Sequence, residues 1–135
     1  MKSGIVFLAM AAALAAPQMR SVWDGVYTDE QAKRGEQGYV EKCGRCHGAE
    51  MLGADEAPPL AGGQFLSNYS GQTADDLFER IRVSMPADKP GSMSRQQTAD
   101  IEAYIFKFNN FPAGQTELAT QAEVLKQIRI DATKP

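Results

Sequence analysis

The chain has 135 residues, a formal charge of −3, two cysteines and one histidine. That length fits a single domain. The acidic balance speaks against nucleic acid or anionic lipid as partners, and two cysteines with one histidine cannot fill a closed four-ligand zinc site.

Met1-Lys2-Ser3 leads into an apolar run from Gly4 to Ala16 that is too short to span a bilayer. With the small-x-small pattern Ala13-Leu14-Ala15 it reads as a signal peptide over residues 1–15, cut after Ala15. A retained membrane anchor is the alternative. Export to the periplasm is therefore expected, with no membrane association after cleavage. Residues 16–27 form an irregular lead-in carrying Trp23, the only tryptophan, expected on the domain surface or under the C-terminal tail.

Thr28-Asp29-Glu30-Gln31 is a capping box, so a helix is expected from Asp29 to about Lys42. Ala32, Gly35, Tyr39 and Val40 mark its apolar face. Gly35 inside a helix costs ~1 kcal/mol relative to alanine, a cost that a close helix crossing would justify.

The stretch that follows is Cys43-Gly44-Arg45-Cys46-His47, and it uses up the chain's cysteines and its histidine. Two cysteines two residues apart, with histidine next, form the pattern of covalent c-type haem attachment. One turn of chain lets two thiols reach two vinyl groups, and the next residue offers a neutral imidazole to the iron. A disulfide here would close too short a loop to constrain the unfolded chain. A thioredoxin-like thiol pair would need a βαβ context that is missing. One covalent haem c is the expected cofactor.

Gly48 to Gly63 holds three glycines and two prolines beyond its first residue and reads as a loop sweeping round from His47. Asn68 to Gly71 reads as a turn. Thr73 caps a helix through about Val83, with Leu77, Phe78 and Ile81 inward, and Met85 to Ser94 is a second loop. Ser94 caps a helix over Arg95 to about Asn109, with Ile101, Tyr104, Ile105 and Phe108 at helical spacing. Residues 111–135 are a tail expected to pack on the domain, with a short helix near Gln121 to Lys126 and an extended Ile128-Arg129-Ile130. The sum is an all-α fold of four helical stretches with no convincing sheet.

This order of parts resembles class I cytochrome c, over roughly Thr28 to Asn110, giving a domain at 28–110. By Met85-Pro86-Ala87-Asp88-Lys89-Pro90-Gly91-Ser92 it is most similar to small monohaem bacterial periplasmic cytochromes. The resemblance implies the cytochrome c fold, three to four short helices and loops around one covalent haem. It implies that Gly35, Tyr39, Ile101 and Tyr104 form a crossing of first and last helices. It also implies that Pro58, in Pro58-Pro59-Leu60, offers its carbonyl to the imidazole of His47, and that Tyr69 takes a haem propionate. Asn68, Arg82 and Arg95 also lie in segments that could donate to propionates. Lys42, Arg45, Arg80 and Lys89 could ring an exposed haem edge, although such charges are more often ordinary surface.

The inventory excludes a second axial histidine. Met51 is too near His47 to cross to the other haem face, and Met19 precedes the first helix. Met85 and Met93 remain among the methionines, with a lysine or an open iron as the other possibilities. Pro86 stiffens the backbone beside Met85, and the family carries its ligand in that dipeptide, so Met85 is preferred to Met93. With His47 and Met85 as metal ligands and Cys43, Cys46, Pro58 and Tyr69 as further haem-binding residues, the expected function is one-electron transfer. The carrier would shuttle electrons in the periplasm between a dehydrogenase or respiratory complex and an acceptor such as a terminal oxidase. Its partners would be redox proteins, with no small-molecule substrate at the iron and no enzymatic turnover. The alternatives are a cytochrome subunit dedicated to a periplasmic dehydrogenase, or a haem enzyme or gas sensor with an open sixth site.

Overall fold

The structure is a computed structural model that describes residues 1, 11–13 and 18–135. The signal peptide expected over 1–15 and its cleavage point fall outside the described residues, apart from 1 and 11–13. Among the described residues, no helix is long and apolar enough to cross a membrane.

Among the described residues, six helices carry the fold: α1 Asp29–Lys42, α2 Gly44–His47, α3 Gly62–Tyr69, α4 Ala74–Ser84, α5 Arg95–Phe108 and α6 Ala122–Leu125. Three begin where a side chain takes up an orphan backbone donor. Thr28 accepts from Gln31 N, Thr73 from Asp76 N and Ser94 from Gln97 N. For α4 and α5 the box closes reciprocally, through Asp76 and Gln97. For α1 it does not. The Gln31 side chain turns inward instead, donating to Leu118 O at 3.0 Å and accepting from Leu118 N at 2.6 Å, so it anchors the tail.

Packing of α1 on α5 organises the core. Gly35 is buried at the crossing, where a Cβ would strike the Asp100 carbonyl and stand 2.9 Å from Tyr104 Cβ. Tyr39 and Tyr104 pack beside it with ring centroids 5.5 Å apart. Val40 corrects the expected apolar face, being 69% exposed. At about 100° per residue it stands roughly 80° past Ala32 and 140° from Gly35, outside the stripe that Ala32, Gly35 and Tyr39 share.

Two elements depart from the sequence expectation. Residues 62–69 form the helix α3, which buries Phe65 fully and opens without a capping bond from Ala61. The chain also makes a small parallel ribbon, β1 (Arg20–Ser21) on β2 (Ile128–Arg129). Trp23 joins the same corner: Trp23 Nε1 donates to Asp131 O at 3.0 Å, and the ring meets Phe111 edge-on at 5.1 Å. The tail runs back over the domain, burying Leu118, Leu125, Ile128 and Ile130.

Candidate functional site

The last turn of α1 delivers the pentapeptide. Cys43 N donates to Tyr39 O at 2.8 Å, after which the backbone at Cys43 breaks helical geometry and α2 makes a single turn. His47 N then donates to Cys43 O at 3.0 Å, and Gly48, at φ 83°, turns the chain away. Cys43 is buried, Cys46 is exposed, and neither is in a disulfide. Burial pushes the Cys43 thiol up to about 11. A lowered thiol pKa marks a reactive cysteine, and Cys43 shows the opposite shift.

His47 is 6% exposed, and its Nδ1 lies 2.8 Å from Pro58 O. A carbonyl only accepts, so Nδ1 carries the proton and Nε2 keeps its lone pair for a metal. The loop that brings Pro58 there is cross-braced. Gly53 N donates to His47 O and Leu60 N to Met51 O, both at 2.9 Å. Gly53 adopts φ 74°, and a Cβ there would stand 2.8 Å from Pro58 C and strike Ala57 O, so the turn admits only glycine. Tyr39 OH donates to Gly48 O at 2.6 Å and pins the start of the loop.

His47 opens onto a cavity of about 1300 Å³, whose wall includes Cys43, Cys46, Pro58, Tyr69 and Met85. Typical ligand sites hold about 300–1,000 Å³, so the space has room for a large cofactor. The six residues expected to bind the haem, Cys43, Cys46, His47, Pro58, Tyr69 and Met85, therefore share one cavity. Met85 ends α4, its N–H donating to Ile81 O at 3.0 Å, and its side chain is half-buried. Met93 is 5% exposed within the hydrophobic core and does not line the cavity; Met51 is fully buried.

Tyr69 packs on Phe65 with centroids 5.0 Å apart, and burial raises its pKa. Asn68 and Arg80 reach the cavity wall, whereas Arg82 and Arg95 do not. Arg82 grips Glu79 at 2.8 Å, and Arg95 reaches both Glu79 and Thr120 O while lying 4.6 Å over the Phe78 ring. Lys42 and Arg45 also stand on the wall, but so do Asp55, Glu56, Asp76 and Asp88, and Lys89 does not. Arg45 and Asp88 join the pentapeptide to the methionine loop by an exposed ion pair at 3.1 Å. The rim is thus mixed in charge rather than basic. Asn109, at the end of α5, went unremarked in the sequence, although its amide grips the loop at Leu60 and Gly62.

A c-type haem fits this donor set: two free thiols, an imidazole whose tautomer is fixed for ligation, a thioether, and one large cavity common to all. Residues 30–105 match the family described as cytochrome c oxidase, cbb3-type, subunit III. Among solved structures, the sulfane dehydrogenase SoxCD from Paracoccus pantotrophus is similar, with a TM-score of 0.59 and 20% identity. The likeness covers 79% of this chain and 61% of that one, and at that identity it is a likeness of fold. No curated protein matches.

Proposed function

This chain belongs to the c-type cytochromes, in the family described as cytochrome c oxidase, cbb3-type, subunit III, and on that footing we propose that it is an exported, periplasmic one-electron carrier. One haem c would be held by thioethers at Cys43 and Cys46, with His47 and Met85 as axial ligands. When bound, the haem supplies Fe(III)/Fe(II) exchange.

The observation that carries this reading is the His47 Nδ1–Pro58 O hydrogen bond of 2.8 Å beside a cavity that Met85 also lines. The Pro58 carbonyl fixes the proton on Nδ1, which orients the ring and strengthens Nε2 as a donor. A thioether from Met85 favours the ferrous state and raises the potential. With both residues serving as ligands, no coordination position is left for a substrate. Tyr69 and Asn68 offer polar groups to the propionates.

Denaturing mass spectrometry with spectroelectrochemistry tests the reading. Expected are a mature chain starting near Ala16, heavier by one haem, and a single one-electron wave. An unmodified mass from a host with competent maturation machinery contradicts it. A second reading, a cytochrome subunit dedicated to a periplasmic dehydrogenase, draws support from the likeness in fold to the sulfane dehydrogenase SoxCD. Stoichiometric co-elution with a dehydrogenase from the native host would favour that role over a free shuttle.

A further inference from the structure

We propose that Asn109 is a positioning residue for the axial imidazole: its side chain fastens the loop at Leu60 and Gly62 to the end of α5, and so holds the Pro58 carbonyl on His47. This rests on His47 being an iron ligand.

Residues 48–61 form no helix and pair only through one short bridge between Ala54 and Ala57. Pro58 therefore has no ladder of regular structure to hold its carbonyl on His47. Backbone bonds from Gly53 to His47 and from Leu60 to Met51 brace the loop against itself. Besides His47 itself, two side chains of the described residues hydrogen-bond the segment from outside, one near each end. Tyr39 of α1 holds Gly48, and Asn109 of α5 holds Leu60 and Gly62.

Asn109 is buried, and three of its four possible side-chain bonds are made. Nδ2 donates to Leu60 O at 2.9 Å and to Ile105 O at 2.8 Å, while Oδ1 accepts from Gly62 N at 3.0 Å. A helix cap alone would explain the bond to Ile105. It does not explain the two that leave the helix. Only Pro59 lies between Leu60, which Asn109 clamps, and Pro58, whose carbonyl meets His47, and a proline with fixed φ transmits a displacement rather than absorbing it. An asparagine suits the task because the loop presents a carbonyl and an N–H two residues apart.

A carbonyl held on Nδ1–H raises the donor strength of the imidazole and favours the ferric state. Freeing the loop should loosen that bond and raise the reduction potential. The test uses covalent holoprotein with Asn109→Ala, and with Asn109→Asp, which keeps an acceptor for Gly62 but loses both donors. Gln31→Ala is the control, since Gln31 makes the same kind of buried clamp on Leu118, remote from the loop. In both Asn109 variants, NMR should show His47 Nδ1–H exchanging roughly tenfold or more faster, as expected for losing hydrogen bonds that close a local opening. The potential should rise with it, while Gln31→Ala loses stability and changes neither. Asn109 variants that lose stability but keep wild-type exchange and potential would reduce Asn109 to a helix cap. Failure to find any hyperfine-shifted His47 resonance in the wild-type ferric protein would instead overturn the ligand assignment underneath.

Discussion

Gly35→Ala adds one methyl group at the place where α1 crosses α5. The new Cβ would overlap the Asp100 carbonyl, a backbone atom that cannot rotate aside, and would stand 2.9 Å from Tyr104 Cβ. The two helices must then separate. Overpacking of this kind costs ~1–3 kcal/mol. Loosening the Tyr39–Tyr104 pair, with centroids at 5.5 Å, adds ~0.5–1.5 kcal/mol. Better helix propensity returns up to ~1 kcal/mol. The net destabilisation of about 0.5–3.5 kcal/mol should lower Tm by about 2–14 °C for a domain of this size. Thermal unfolding of the holoprotein followed by circular dichroism measures it. Gly63→Ala is the internal comparison: Gly63 lies in the first turn of α3 with nothing within 4 Å of a Cβ and no positive φ. It should be neutral or stabilising by up to ~1 kcal/mol. A Gly35→Ala protein as stable as Gly63→Ala would show that the crossing has room, and would remove the physical reason for glycine there.

Met85→Ala should abolish the long-wavelength methionine–iron absorption of the ferric protein and lower its potential. Met93→Ala should keep that band while costing ~2–5 kcal/mol, because it empties a core position that is 5% exposed; the opposite pattern would move the ligand to Met93. Glu102 on α5 is fully buried with neither carboxylate oxygen hydrogen-bonded, and burial, then the nearby Asp75, raises its pKa well above the usual range. The native state thus keeps a proton that the unfolded chain releases above about pH 4.3. The stability this group contributes is full in acid and is lost as pH climbs toward the native value. Glu102→Gln should therefore match wild type near pH 4 and gain Tm at pH 7–8; equal Tm-against-pH curves would contradict that.

What the sequence disclosed follows from how local each signal is. The caps at Thr28, Thr73 and Ser94 lie within three residues of the donors they satisfy, so α1, α4 and α5 were readable within a residue or so. Helix α3 opens on Gly62-Gly63 behind an Ala61 that makes no capping bond. The burial of Phe65 and the bond from Gly62 N to Asn109 hold it, and both are tertiary effects. The ribbon of β1 on β2 is two residues long, with Ser21 and Asp131 joined across 110 positions. No window on the sequence reveals such a pair. The pentapeptide was legible because attachment chemistry requires contiguous residues. Met85 and Met93 share one loop, and what separates them is that Met93 turns into the core while Met85 stays on the cavity wall. Asn109 looked like an ordinary helix end, since its bonds to Leu60 and Gly62 span 49 and 47 residues.

The most direct test is to expose the ferrous holoprotein to carbon monoxide at neutral pH while measuring its one-electron exchange with small mediators. If His47 and Met85 close the coordination sphere, carbon monoxide should bind slowly or not at all while electron exchange stays fast. Rapid, stoichiometric carbon monoxide binding, together with turnover of peroxide, would show an open iron and contradict the carrier function.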